Sequence, residues 1–416
     1  MAIGFRLALF GFCAGDPDRS LLDSDSAEYL RIARNLAEGH GFTQSEGPPY
    51  TPDVRRTPVY PTIVAAVSAM PHAGVRAAVI AGILAAAATV IVQIELTRIL
   101  FGPVAARAAG LLLGLDLTSA AYATQLLTEM VFTLLLTGSL LALVDARRST
   151  GPRAVAAGTL AGLAALCRPI ALLFPVVLLP ACVWPESGGR SRKTSTIHAA
   201  VRFVIVVAIS TALVSIWAFR NQRVSGATTI SSVAATNIYL HRAAYVAARQ
   251  EHRRVEDVRA EWERELSERS AGWTTEERLD WMQQHGRALI LANPLDYVVV
   301  FGQGLLRMLR PDADILPRVL GISTASRAWA VIVTVAWIQL LVVYALAAYG
   351  TAIVWRRSRL LAAVPIAVLA YFVLVGGPEM YPRFRVPLMP VICMLAGAAM
   401  YSLVVPPTGQ PLAAHG

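Results

Sequence analysis

Apolar runs broken by short arginine-bearing turns make up most of this chain. The runs lie around 77–97, 104–124, 128–144, 154–167, 169–184, 201–219, 328–354, 360–375 and 386–405. A helix that crosses a bilayer needs about 20 mostly apolar residues, and most of these runs approach that length. The opening stretch, MAIGFRLALFGFCAG, is shorter than a full span. It reads as a truncated first helix, or alternatively as a signal-peptide core flanked by Arg6. With it, the pattern predicts an all-α polytopic membrane protein of about ten transmembrane helices.

Two long polar segments interrupt the runs, 16–74 and 220–327. The first contains DSDSAEYLRIARNLAEGHGF at 23–42. Asp25 is suited to cap a helix there, with Glu28 completing a capping box, an apolar face of Tyr29, Ile32, Ala33 and Leu36, and Gly39 as the stop. In the second, 244–292 is polar with helical spacing. Thr274 and Glu277 form a second capping-box signature, and Asn293-Pro294 ends that helix. The following LDYVVVFGQGLLRMLRP carries Arg307 and Arg310 and reads as an interfacial helix. GLLLG at 110–114 and GTLAG at 158–162 read as helix-contact patterns of small residues. The expected organisation is a first helix over 1–15, a first external loop over 16–74, spans over 75–219, an external helical segment over 220–327, spans over 328–405 and a cytoplasmic tail over 406–416.

Composition agrees with a membrane protein. The 416 residues are 56% hydrophobic and only 15% charged, against about 25% charged in soluble domains. The formal charge of +10 is carried almost wholly by arginine, with Lys193 the single lysine. The arginines fall in alternate loops: Arg98 and Arg107; Arg147, Arg148 and Arg153; Arg190, Arg192 and Arg202; Arg356, Arg357 and Arg359. That is the positive-inside pattern, which orients these loops to the cytoplasm and both long polar segments to the outside. No nucleic-acid partner is expected, and no Walker sequence or strand-linked GxGxxG is present. Cys13, Cys167, Cys182 and Cys393 show no metal-ligand spacing and read as buried thiols. His241, His252 and His285 read as surface histidines.

Several costly polar residues gather at the expected outer boundary. Arg55 and Arg56 precede the rigid turn TPVYP; Asp116 lies within an apolar run; Glu129 opens the next in LLTEMVF; Arg168-Pro169 marks an outer turn; Arg383 and Arg385 sit in EMYPRFRVPLMP. Ionisable groups inside membrane spans cost about 2.5–3.5 kcal/mol on insertion scales, so they point to function. Structural alternatives exist for some: Arg168 and Arg220 can snorkel to headgroups, Glu129 can complement a helix dipole, and Asp116 can bond a neighbouring helix. Arg383 and Arg385, at alternate positions near a proline-bounded turn, can present two planar forks to one phosphate, with anionic headgroups as the simpler partner.

The loop DSDSAEYLRIARNLAEGHGF followed by RRTPVYP resembles the first external loop of polytopic GT-C glycosyltransferases, the bacterial relatives of protein O-mannosyltransferases and of the lipid A aminoarabinose transferase. LLTEMVFTLLL, GLAALCRPIALLFP, WAFRNQRVSG and RFRVPLMP resemble later segments in the same order. The resemblance implies a GT-C fold and a hexosyl- or pentosyltransferase in the cytoplasmic membrane with its site facing outward. It implies a polyprenyl-phosphate sugar as donor and a lipid, glycan or protein acceptor. It makes Asp25 the catalytic carboxylate, four residues before Tyr29, with Asp23 as a substitute whose spacing to Tyr29 fits less well. Tyr29 and the boundary residues Arg56, Asp116, Glu129, Arg168, Arg383 and Arg385 are the substrate-binding candidates. Where protein O-mannosyltransferases show Asp-Glu, this chain has Asp25-Ser26, which weighs against a protein acceptor. No cofactor is required by the pattern, and a divalent metal is left open. The contacts with membrane lipids that any such protein makes are also expected. The rival readings are a flippase of lipid-linked sugars and a non-catalytic assembly protein.

Overall fold

A computed structural model describes residues 2–13, 15–16, 19, 23–69, 74–145, 150–182 and 192–404. Parts of the expected cytoplasmic loops at 146–153 and 186–198, and the expected tail at 406–416, lie outside the described residues.

Helix α1 spans Ala2–Cys13, and α2 spans Asp23–Ala37. The start of α2 lies two residues before Asp25, which corrects the capping expectation. Asp25 and Glu28 sit inside the first turns of this helix, on a shared face, rather than closing its end. The stop falls as expected, with Gly39 at φ 81° and the His40 N–H donating to Asn35 O at 2.8 Å. The turn through Arg56 leads into α3, Val59–Ser68.

Apolar residues Gly74–Gly114 form α4, broken at Gly102 (φ 85°) immediately before Pro103. The break is a reversal. A Cβ on Gly110 would lie 2.5 Å from the Ile94 side chain, whereas in one continuous helix those residues would stand roughly 24 Å apart. The turn expected between Arg98 and Arg107 is therefore present. The second arm ends at Gly114 rather than near 124, because the Asp116 side chain accepts from Ser119 N at 2.7 Å and starts the short α5, Leu117–Tyr122.

Helices α6, Glu129–Asp145, and α7, Thr150–Cys167, follow. The run at 169–184 departs from expectation. Pro169, Pro175 and Pro180 divide it into a 3-10 turn, Pro169–Ala171, then α8, Phe174–Val177, and α9, Leu179–Cys182. Helix α10 spans Arg192–Ser225.

A polar helical segment comes next. It comprises α11, Val233–Thr236, a π-helical turn Asn237–Ala243, α12, Ala244–Gln250, α13, Val255–Arg269, α14, Thr275–Ala292, and α15, Pro294–Met308. The Thr274–Glu277 capping box is formed, and α14 and α15 meet at 100° across Asn293. After α16, Ile315–Leu320, the apolar helices α17, Arg327–Arg357, and α18, Arg359–Gly376, lead to a 3-10 segment, Pro382–Leu388, and α19, Met389–Val404.

Among the described residues five helices are long and apolar enough to cross a membrane, with Gly74–Gly114 counted once although it is two arms. Ala2–Cys13, Glu129–Val144 and Gly151–Cys167 are shorter apolar helices. With the two arms of α4 counted separately, these make nine apolar helical passes among the described residues, in keeping with the expected about ten. In the bundle α6 lies between α4 and α7, α10 packs on α7, and α19 is wedged between α4 and α17. Small residues make these approaches close. A Cβ on Gly158 would lie 2.9 Å from Val206 O, and one on Gly162 2.9 Å from Leu213, so the GTLAG pattern is the α7–α10 contact. Gly350 of α17 sits against Leu395 O even more tightly. Gly350→Leu is therefore expected to lower stability by at least about 1–3 kcal/mol through overpacking. An unchanged unfolding midpoint in detergent would show that this contact is not as tight as described.

Candidate active site

The ends of several helices meet at one side of the bundle, and each contributes a charged group. Asp25 comes from the first turn of α2, and Arg56 from the turn before α3. Glu129 is the first residue of α6, and Arg168 follows the last residue of α7. Arg383 lies in the 3-10 segment before α19.

Local bonds fix Arg56 in place. Its N–H donates to Asp53 Oδ2 at 2.8 Å, and the neighbouring Thr57 hydroxyl donates to Cys167 O at 3.0 Å, tying the turn to the end of α7. Ser232 N donates to Val54 O at 3.0 Å, and Arg220 Nη1 to Asp53 O at 2.6 Å. Arg220 also lies over the Trp217 ring at 4.8 Å, so it clamps this loop rather than reaching for headgroups.

The Asp25 carboxylate is held between two arginines. Arg56 Nη2 donates to Oδ1, and Arg383 Nη1 donates to Oδ2 at 2.9 Å. Arg56 Nε donates to Glu28 at 2.5 Å, its Nη1 reaches the Tyr29 hydroxyl at 3.4 Å, and its guanidinium lies 4.9 Å from the Tyr29 ring centre. Arg383 Nε and Arg168 Nη1 both donate to Glu129 Oε1, while Glu129 Oε2 is buried with no partner. Arg55 reaches Glu28 at 3.3 Å. Four guanidiniums thus face three carboxylates, one positive charge in excess. The Asp25 side chain keeps 27% of its surface exposed, whereas Glu129 has none and Arg383 only 6%. Asp25 is the most accessible of the three carboxylates; Arg56, Arg168 and Arg383 beside it are largely buried, and Arg55 is the exposed guanidinium.

Burial pushes the Asp25 carboxyl up, but Arg383 and then Arg56 outweigh it and hold the group well below the usual carboxylate range. Burial pushes the Tyr29 hydroxyl up to about 12, so it stays a neutral donor and acceptor. Burial alone would lower Arg56; Tyr29, Asp25 and Glu28 around it raise it instead. Asp25 is therefore an anion at any physiological pH. The surplus cation suits a phosphate.

Of the residues expected from sequence, Asp25, Tyr29, Arg56, Glu129, Arg168 and Arg383 come together. Asp116 and Arg385 do not. Asp116 caps α5, and the adjoining Leu115 O and Leu117 N are held by Gln339 of α17 at 2.7 and 3.2 Å. Arg385 is fully buried, donating to Met308 O and Arg310 O at 2.7 Å each and to the Thr118 hydroxyl at 2.9 Å. It ends α15 by satisfying carbonyls that the helix leaves open. Its alternation with Arg383 suggested one shared target, but a 3-10 turn sends such residues to different sides. Glu28 was missed. Its spacing from Asp25 fits a shared helix face as well as it fits a capping box. Among the described residues no group of three or more His, Cys, Asp or Glu is placed to hold a metal ion.

Residues 55–217 match the family model described as dolichyl-phosphate-mannose-protein mannosyltransferase, a stretch that includes Arg56, Glu129 and Arg168. No curated protein sequence matches the chain. Among solved structures, the Archaeoglobus fulgidus oligosaccharyltransferase in complex with zinc and sulfate superposes with a TM-score of 0.53 at 14% identity. The alignment covers 91% of this chain and 45% of that one. The oligosaccharyltransferase AglB from the same organism, in complex with an inhibitory peptide and a dolichol-phosphate, gives 0.51 at 12% identity, over 91% and 46%. This chain thus spans about half the length of those proteins. ArnT from Cupriavidus metallidurans, bound to undecaprenyl phosphate, aligns at 0.41 and 17% identity over 96% and 77%, too distant to add to the comparison of folds. The chain is an all-α polytopic membrane protein of the GT-C type, similar to membrane glycosyltransferases in its family signature and in its fold.

Proposed function

We propose that this protein transfers a sugar from a polyprenyl-phosphate donor to a hydroxyl of a lipid, glycan or protein acceptor at the outer face of the cytoplasmic membrane. The observation that carries the reading is an accessible Asp25 carboxylate set against anchored arginines with one positive charge to spare. A dolichol-phosphate is bound in the AglB complex, which shares the fold. In the reaction the bond from the anomeric carbon to the phosphate oxygen breaks and a bond to the acceptor oxygen forms. The acceptor's proton goes to Asp25, and polyprenyl phosphate leaves. Attack from the side opposite the phosphate inverts the anomeric centre. A carboxylate shared by two arginines is a weak base. The donor phosphate competes for Arg383, and drawing that guanidinium away raises the basicity of Asp25 as the acceptor arrives. A flippase would need a polar track across the membrane midplane. The charged cluster lies instead at helix ends on one side of the bundle, which favours transfer.

The test of function is incubation of purified protein with a panel of polyprenyl-phosphate sugars and envelope extracts, followed by mass spectrometry. Gain of one hexose or pentose on an acceptor is the expected result, and intact donor across the panel would contradict it. Orientation has its own check. The four native cysteines are buried, so background thiol labelling is expected to be low. A single cysteine at exposed position 250 should react with an impermeant reagent in intact cells. Labelling only after lysis would place the site in the cytoplasm.

A further inference from the structure

A groove of about 660 Å³ lies between α15 and α17, outside the charged cluster. We infer that it binds an anionic phospholipid, with an acyl chain along Leu306, Leu309, Trp337 and Leu341 and the phosphate on Arg310, Arg307 standing beside it.

The wall faces lipid. Leu306 is 65% exposed and Leu341 58%, and their α17 neighbours in sequence, Ile338 and Val342, are exposed as well. Depth follows from the tryptophans. Trp355 adjoins Arg356 and Arg357 at one end of α17, and Trp337 stands roughly 27 Å further along the helix at 1.5 Å per residue. The hydrocarbon core is about 30 Å thick and tryptophans collect near both of its edges, so Trp337 lies towards the opposite edge, where the helix also carries Gln339, bonded to the turn at Leu115–Leu117. The arginines of the groove therefore sit where lipid phosphates lie. Arg307 is partly engaged, donating to Pro378 O at 2.6 Å and lying 5.0 Å from the Tyr245 ring. Arg310 is exposed, and its guanidinium has no hydrogen bond or ion pair among the described residues. An unpaired cation over an apolar groove at headgroup depth matches a phosphodiester above an acyl chain.

The site is separate from the one that holds the reacting phosphate on the reading above. Arg383 faces Asp25 and Glu129, whereas Arg385 leaves the same 3-10 turn to bond the carbonyls of Met308 and Arg310 from the buried side of α15. The groove is on the exposed side of that segment.

Native mass spectrometry of the full chain, titrated with phosphatidylglycerol or phosphatidylcholine, tests the inference. One phosphatidylglycerol is expected to be retained in preference to phosphatidylcholine. Arg310→Ala is expected to weaken retention about tenfold or more, since a hydrogen bond to a charged group is lost. Leu341→Glu should weaken it as well, by placing a carboxylate in the wall. Arg356→Ala, with the same loss of charge away from the groove, should leave it unchanged. Equal retention of the two lipids, or wild-type retention by Arg310→Ala, would overturn the inference. So would one-for-one displacement by polyprenyl phosphate, which would assign the groove to the donor. Retention is read without any sugar transfer, so this result and the transferase reading stand or fall separately.

Discussion

Asp25→Asn is expected to reduce sugar transfer by about 10²–10⁴-fold while leaving the protein folded. Asparagine keeps one carbonyl oxygen for Arg56 or Arg383 but cannot take the acceptor's proton. Some stability is lost too, because hydrogen bonds between ions are stronger than those to a neutral amide. That loss is bounded, because Asp25 is partly exposed and does not cap α2. Donor binding should persist, and relief from one negative charge can even tighten it. Asp23→Asn, two residues earlier, is the matched control and should stay near wild type. Wild-type turnover by folded Asp25→Asn would reduce Asp25 to a brace for two arginines.

Arg383→Ala should have the other large effect, on both stability and donor binding. Arg383 and Glu129 are both buried, and removing one partner of a buried pair typically costs about 3–5 kcal/mol. Arg168 remains on Glu129, and Arg56 on Asp25, which softens that cost. In protein that still folds, donor affinity should drop about 10- to 150-fold through loss of a charge-assisted contact. Lysine should rescue only partly. Arg383 uses Nε for Glu129 and Nη1 for Asp25 and Tyr381, and one ammonium cannot span both carboxylates. Arg385→Ala separates structure from binding. Its partners are two carbonyls and Thr118, so it should destabilise without a selective change in donor affinity. Unchanged donor affinity in Arg383→Ala would remove the phosphate from this cluster.

Much of the architecture was legible because membrane helices announce themselves by length and apolarity. The turn between Arg98 and Arg107, the Thr274–Glu277 capping box and the GTLAG contact were each readable from a few residues. The interruptions were harder. Prolines at 169, 175 and 180 were visible in the run they break, but apolar composition outweighed them. At Asp116 a single carboxylate turns an apparent span into two elements, and hydropathy averages over it. Within the site, spacing on one element was informative: Asp25, Glu28 and Tyr29 share a helix, and the structure brings all three to Arg56. What spacing could not give is which distant arginine meets which carboxylate. Arg383 and Arg385 differ in role only because the turn between Pro382 and Leu388 is 3-10, and that follows from packing against α5, α6 and α15.

The most direct measurement follows a donor labelled in both its sugar and its lipid phosphate, in proteoliposomes holding the wild-type protein or Asp25→Asn. With wild type, the sugar label should move to an acceptor as sugar-free polyprenyl phosphate, still bearing the phosphate label, accumulates on the same leaflet, and the variant should retain intact donor. Intact donor crossing to the opposite leaflet, with the sugar still attached and no difference between wild type and Asp25→Asn, would contradict a transferase and identify a carrier.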